Sequence, residues 1–134
     1  MERKKRAAIY CRTAAGDEFA MEMQEALLMA AAKRNGLQEV SVYKDCGYPG
    51  TALERPALQK LMEDIREGRI SMVLVKNADR IARTVEKAAV FLRTAQDSGA
   101  GVFQVAGNRL EEIPAVGETM LMYWVSMKNL RIHE

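Results

Sequence analysis

The chain has 134 residues, a mass of 15.0 kDa and a formal net charge of +2 at pH 7. This length suits one domain with its own core, and the small net charge does not by itself indicate strong nucleic-acid binding. No apolar run approaches the ~18 residues of a membrane span, and no long apolar segment follows the basic start. We therefore expect no membrane span, no signal peptide and a cytoplasmic location.

Histidine and cysteine usage excludes several classes of enzyme. His133 is the one histidine in the sequence and lies next to the end. Ser-His-Asp and Cys-His mechanisms therefore lack a base, and the HExxH metal motif is absent. The two cysteines, Cys11 and Cys46, are too few for a disulfide framework or a structural zinc site. We expect neither a metal nor a cofactor.

Short apolar runs alternate with helical patterns along the chain, which is typical of βαβ units and a parallel sheet. The predicted strands are 7–11, 40–43, 70–75 and 101–106. The predicted helices are about 18–34, from Pro56 to a stop at Gly68, and about 84–97. The sequence thus predicts an α/β fold, a three-layer sandwich with a mostly parallel sheet of four to five strands.

The last segment, residues 116–131, has a different character. It carries an apolar stripe at helical spacing that consists of Val116, Met120, Tyr123, Trp124, Met127 and Leu130. This helix either lies on the sheet of its own chain or packs against another subunit, and the stripe fits both interpretations. We expect one domain over residues 1–134, with an α/β core at about 1–112 and a C-terminal helix at about 115–131.

Charged side chains follow the predicted strands at their carboxyl ends, where open parallel sheets bind ligands. The loops bring these residues to one edge of the sheet: Arg12, Arg55, Asp79, Arg80 and Arg83. Arginine presents a planar fork that matches phosphate oxygens, so the cluster indicates a phosphate site. If 79–83 form the first turn of a helix, Arg80 and Arg83 share a face. The alternative is surface arginines paired with Asp79, Glu54 or Glu86.

Four sequence pieces in this order resemble the catalytic domain of serine recombinases, the resolvase/invertase family that includes transposon and phage integrases. They are "AIYCR", "MEMQEALLMAAAKRNG", "VYKDCGYPGTALERPALQKLMEDIREGRI" and "VLVKNADRIAR", and the resemblance covers residues 6 to about 110. It implies a resolvase-like fold and site-specific DNA recombination. In that reaction a serine hydroxyl attacks a DNA phosphodiester and forms a 5′-phosphoserine link, without a metal or cofactor.

The resemblance also implies roles for individual residues. Arg12, Arg55, Arg80 and Arg83 would bind the DNA phosphate and stabilise its charge in the transition state. Asp79 would orient an arginine or assist proton transfer, and Gln24 would support the site. These roles make the residues the candidate catalytic and phosphate-binding set.

The sequence departs from the family pattern at the nucleophile. The family places its serine two residues after the arginine of the first strand, and here that position is Ala14. A methyl group cannot attack phosphorus, and strand alternation should turn the hydroxyl of Thr13 away from Arg12. The sequence therefore predicts a domain that keeps the arginine cluster and is inactive in cleavage.

The predicted partners follow from this interpretation. We expect contact with DNA, and a homodimer or higher oligomer through residues 116–131 or assembly with an active recombinase. The family's separate DNA-binding domain is expected to be absent from this chain. The alternatives are a non-catalytic regulatory or dimerisation partner, and an α/β domain that binds a phosphate anion.

Overall fold

A five-stranded sheet organises the part of the chain that this computed structural model describes, residues 6–48, 55–82 and 84–132. Its strands are β1 (Ala7–Thr13), β2 (Val40–Cys46), β3 (Met72–Val75), β4 (Gly101–Ala106) and β5 (Arg109–Glu112). The helices are α1 (Glu18–Arg34), α2 (Pro56–Arg66), α3 (Val85–Asp97) and α4 (Glu118–Ile132). The alternating elements confirm the predicted α/β class.

The strand order is β2-β1-β3-β4-β5, and all neighbours are parallel except β4 and β5. This confirms a mostly parallel sheet. The order reverses between β1 and β3, and at such a switch point a crevice opens beyond the carboxyl ends of the strands. The sequence did not predict β5, whose residues "RLEE" lack a strand pattern. It forms because the turn at Gly107, with φ +64°, returns the chain alongside β4.

Helices cover both faces of the sheet. Along β1, Ala8 and Tyr10 face the core that contains α2 and α3, whereas Ile9 and Cys11 face α1. All four side chains are buried, which fits a central strand covered on both sides. The predicted three-layer sandwich is therefore confirmed.

The segment after β3 differs from the prediction. Residues 79–82 are not α-helical, because a short 3₁₀ turn spans Ala78–Arg80, and α3 begins at Val85. Thr84 caps α3 and accepts a hydrogen bond from the Lys87 amide at 3.3 Å. Arg83 lies outside the described residues, so its place relative to Arg80 stays a prediction.

Helix α4 packs with one face and leaves the other open. Leu121 is buried in the core, and Trp124 and Val125 pack against it beside α3. On the opposite side Met120, which is 65% exposed, and Tyr123, which is 70% exposed, face solvent. The helix thus lies on its own chain and still presents an apolar face. Among the described residues, no helix has the length and hydropathy needed to cross a membrane.

Candidate active site

An open cleft of about 440 Å³ lies at the switch point between β1 and β3. We name it the Ala14 cleft. Ala14 and Ala15 line it from the loop after β1, Gln24 lines it from α1, and Lys76 and Arg80 line it from the loop after β3. This is the position at which a sheet of this topology binds a ligand.

Gln24 fixes the end of β1 against α1. Its side-chain oxygen accepts a hydrogen bond from the Arg12 amide at 2.9 Å, and its side-chain nitrogen donates to the Arg12 carbonyl at 3.1 Å. Asp17 caps the same helix by accepting from the Ala20 amide at 3.0 Å. The start of α1 is thereby held beside the loop that carries Ala14.

The Arg12 guanidinium points to the other side of the sheet and is engaged with the backbone. Its Nε donates to the Arg80 carbonyl at 3.2 Å, Nη1 to the Tyr48 carbonyl at 3.1 Å and Nη2 to the Asp79 carbonyl at 3.0 Å. Arg12 is only 2% exposed, and burial, together with the charges of Arg55 and Arg80, lowers its pKa. Arg12 thus joins the loops that follow β2 and β3.

Arg55 is engaged in the same way. Its Nη1 donates to the Arg80 carbonyl at 3.0 Å, and its Nη2 donates to the Ile81 carbonyl. The guanidinium lies over the Tyr10 ring, 5.6 Å from the centroid. The side chain is 1% exposed, and burial lowers its pKa. These bonds give a physical reason for the missing helical turn, because the carbonyls of residues 79–81 accept from arginines.

A buried carboxylate, Asp45, supports this arrangement from the end of β2. It accepts from the Tyr10 hydroxyl at 2.8 Å and from the Ala57 and Leu58 amides at 2.9 and 3.0 Å. The hydrogen bonds from these two amides satisfy donors at the start of α2 that would otherwise be free, and they thereby hold Arg55, the residue before that helix. Asp45 was not predicted as a site residue, because a cap eleven residues before its helix leaves no local signal.

Arg80 is the arginine that reaches the Ala14 cleft. Its side chain is 24% exposed, and its Nη1 donates to the Arg12 carbonyl at 3.3 Å. Its Nε has no hydrogen-bond partner among the described residues and lies 3.8 Å from the carboxylate of Asp79. Asp79 itself is exposed, so its contact with Arg80 is a loose ion pair.

The nucleophile position carries no hydroxyl. Ala14 is exposed and lines the cleft with its methyl group. Among the described residues that line the cleft, Thr13 has the single hydroxyl, and this group lies 3.5 Å from the Cys46 sulfur on β2. Thr13 is 7% exposed, so its oxygen is held in a strand-to-strand contact.

The predicted residues therefore differ in whether their side chains line the Ala14 cleft. Arg12, Arg55, Asp79 and Arg80 converge, but of the predicted residues that the structure describes, only Arg80, Gln24 and Ala14 line the Ala14 cleft. Lys76 was not predicted as a site residue, although its place directly after β3 was a usable signal. Among the described residues, no group of three His, Cys, Asp or Glu side chains is placed to hold a metal ion.

Comparison with known proteins agrees with this fold. The family model "Resolvase, N terminal domain" matches residues 7–130, so the chain belongs to the resolvase family. The fold is that of a serine recombinase catalytic domain. The resemblance seen in the sequence is therefore confirmed.

Individual relatives show how far the similarity extends. The N-terminal catalytic domain of TP901-1 integrase matches with a TM-score of 0.74 and 26% identity, over 96% of this chain and 98% of that one. A resolvase family site-specific recombinase from Streptococcus pneumoniae matches with a TM-score of 0.70 and 25% identity, over 97% and 93%. A "Putative DNA recombinase" of Bacillus subtilis (strain 168) is 36% identical over 77 residues, which are 57% of this chain and 15% of that protein.

Proposed function

We propose that this chain is a site-specific recombinase catalytic domain that binds a DNA phosphate in the Ala14 cleft without forming a covalent link to it. The observation that carries the proposal is Ala14 in a cleft whose described lining has two cations, Lys76 and Arg80, against one carboxylate, Asp17, which already caps α1. Cations of this kind attract a phosphate oxygen and stabilise its charge.

The chemistry explains why binding and cleavage separate here. In serine-dependent strand transfer an oxygen lone pair attacks phosphorus, the P–O bond to the 3′ oxygen breaks, and that oxygen leaves with a proton. Alanine has no lone pair to donate, so the first step has no nucleophile. The charge that stabilises the phosphate is unaffected by this loss.

Arg80 contacts the phosphate in this proposal, and Arg12 and Arg55 act as positioning residues. Arg12 and Arg55 donate to the Arg80 carbonyl and thereby hold the loop that carries the Arg80 side chain. Direct phosphate contacts of Arg12, Arg55 and Arg83, a proton-transfer role of Asp79 and a supporting role of Gln24 remain predictions from the family resemblance.

The test introduces a serine hydroxyl at position 14 and, in a separate variant, at the neighbouring position 15. The parent chain, Ala14→Ser and Ala15→Ser are each fused to the same unrelated DNA-binding domain and mixed with a nicked suicide DNA substrate carrying its site. The proposal expects a covalent protein–DNA adduct from Ala14→Ser alone. Ala15→Ser is the matched control, because it places the same hydroxyl in the same cleft one residue further along the loop.

The other results have distinct meanings. An adduct from the parent chain would contradict the inactive interpretation and assign the nucleophile to Thr13. An adduct from both serine variants would show that the loop does not select position 14. If no protein forms an adduct although all of them bind the substrate, the cleft lacks transition-state stabilisation and the proposed site is wrong.

A second candidate function is a regulatory or dimerisation partner that acts through α4. The observation in its favour is the exposed apolar face of that helix, with Met120 at 65% and Tyr123 at 70% exposure. Sedimentation of Met120→Glu should then show a shift from oligomer to monomer. Met29→Glu, which changes an exposed methionine on α1, should sediment as the parent does.

A further inference from the structure

A second cleft of about 490 Å³ lies between α1, α4 and the loops that follow β3 and β4. We name it the Trp124 cleft after its aromatic residue, which is the one tryptophan of the sequence. The volume is in the range of ligand-binding pockets. The cleft is contiguous with the Ala14 cleft, because Leu27 and Lys76 line both.

The lining of the Trp124 cleft combines apolar walls with an unused acceptor. Leu27, Val105 and Val125 supply aliphatic surface beside the indole. The side-chain oxygen of Asn77 is buried and has no hydrogen-bond donor among the described residues. A buried acceptor without a partner is costly, so a ligand that brings an N–H group would stabilise it.

The charges differ between the two ends of the cleft. Lys128 lies over the Trp124 ring at 5.6 Å and donates to the Glu111 carboxylate at 2.6 Å, so its charge is neutralised. Lys76 is exposed at the junction with the Ala14 cleft and forms no salt bridge with any described residue. Lys76 therefore places positive charge at the junction with the Ala14 cleft. The remaining lining offers apolar contacts, the Asn77 oxygen and the exposed Asp79 carboxylate as acceptors.

We propose that the Trp124 cleft holds an unpaired nucleobase of a DNA strand whose neighbouring phosphate lies in the Ala14 cleft; this rests on the proposed function. A base has two apolar faces and an edge with N–H donors, which match the aliphatic walls and the Asn77 oxygen. Lys76 lies between the clefts, where it meets the connecting phosphate. A free phosphate fits poorly in the Trp124 cleft, since the Asn77 oxygen and the Asp79 carboxylate repel it.

Trp124 reports directly on this cleft. The intact chain is titrated at low ionic strength with a cytosine tetranucleotide and with an abasic tetranucleotide of equal length and charge, while tryptophan emission is recorded. We expect the cytosine oligomer to change the emission in a saturable way, and the abasic oligomer to have no effect at the same concentrations.

Two asparagine variants sharpen the assignment. Asn77→Ala should weaken binding of the cytosine oligomer about tenfold, because the base loses its buried acceptor. Asn108→Ala removes an exposed amide from the turn between β4 and β5 and should bind as the parent does. The comparison of the two oligomers on the parent chain does not depend on how either variant folds.

Anisotropy of the labelled abasic oligomer separates the inference from the proposed function. If the abasic oligomer binds in an Arg80-dependent manner and neither oligomer changes the emission, the phosphate site stands and the base cleft is wrong. Equal emission changes from both oligomers would overturn the base assignment in favour of phosphate alone. An emission change with protein concentration alone would show that a second copy covers the cleft, and no binding of either oligomer would overturn both proposals.

Discussion

The carboxyl end of β1 has cationic side chains on both faces of the sheet, and they are buried on one face and line an open cleft on the other. On one side Arg12 and Arg55 are buried, and their guanidinium groups donate to backbone carbonyls. On the other side Lys76 and Arg80 line an open cleft beside Ala14. All these cations lie at or beyond the carboxyl ends of strands at one edge of the sheet, so position along the chain does not distinguish them.

This comparison between buried and exposed cations indicates which arginines are available to bind an anion. A buried guanidinium must have acceptors, and the carbonyls of the loop after β3 supply them to Arg12 and Arg55. Arg55 and Arg80 each have an Nε without a hydrogen-bond partner among the described residues, so the difference between them is exposure. The Arg80 side chain is 24% exposed at the Ala14 cleft, whereas Arg55 is 1% exposed. The buried side should therefore respond to substitution in stability, and the open side in binding.

The largest expected effect is on the buried side, at Asp45. Asp45→Ala removes the acceptor for the Tyr10 hydroxyl and two amides of α2. We expect the free energy of unfolding, measured by urea denaturation, to fall by about 3–5 kcal/mol. Asp97→Ala, at the exposed end of α3, should change it by less than about 0.5 kcal/mol. Similar losses in both variants would contradict the supporting role of Asp45.

We expect substitution of Arg12 to lower the free energy of unfolding more than substitution of Arg80, and substitution of Arg80 to weaken DNA binding more. Arg12→Ala leaves the Tyr48 and Asp79 carbonyls without this donor and the Arg80 carbonyl with the Arg55 donor alone, and it should lower the free energy of unfolding by about 2–4 kcal/mol. Arg80→Ala should lower the free energy of unfolding by less than about 1 kcal/mol, since its one side-chain hydrogen bond to a described residue is long at 3.3 Å.

DNA binding should show the reverse order. In a salt titration of duplex binding, Arg80→Ala should weaken affinity about tenfold or more and reduce the logarithmic salt slope by about one. An unchanged slope would mean that Arg80 does not contact a phosphate, and the contrast between the two sides would fail.

The smallest expected effect is a pH dependence from Cys11 in β1. Burial, followed by the charge of Glu25, raises the pKa of its thiol to about 12. The unfolded thiol ionises near its ordinary pKa of about 8.5, so unfolding releases a proton above that pH and stability falls as pH rises toward 12. Between about pH 9 and 10, Cys11→Ala should show a shallower fall in the free energy of unfolding than the parent. Parallel curves would contradict this.

Sequence patterns predicted the sheet and the helices well because burial on both faces leaves long apolar runs, as in β1 and β3. They also placed the end of α1, where Gly36 has φ +74°. They missed β5, whose pairing with β4 depends on a turn rather than on apolar residues. The site was predicted only as a group of arginines, because the carbonyls that bury Arg12 and Arg55 are present in every residue and leave no sequence signature.

The carbonyl of Arg80 accepts from both Arg12 and Arg55, at 3.2 and 3.0 Å, while the side chain of the same residue faces the Ala14 cleft. The fold therefore depends on the main chain at this position, whereas the proposed phosphate contact depends on the side chain. Mutational drift can alter the side chain at position 80 without disturbing the junction of three loops. Under the proposed function, a lineage can therefore change its affinity for DNA at this position while its domain stays folded.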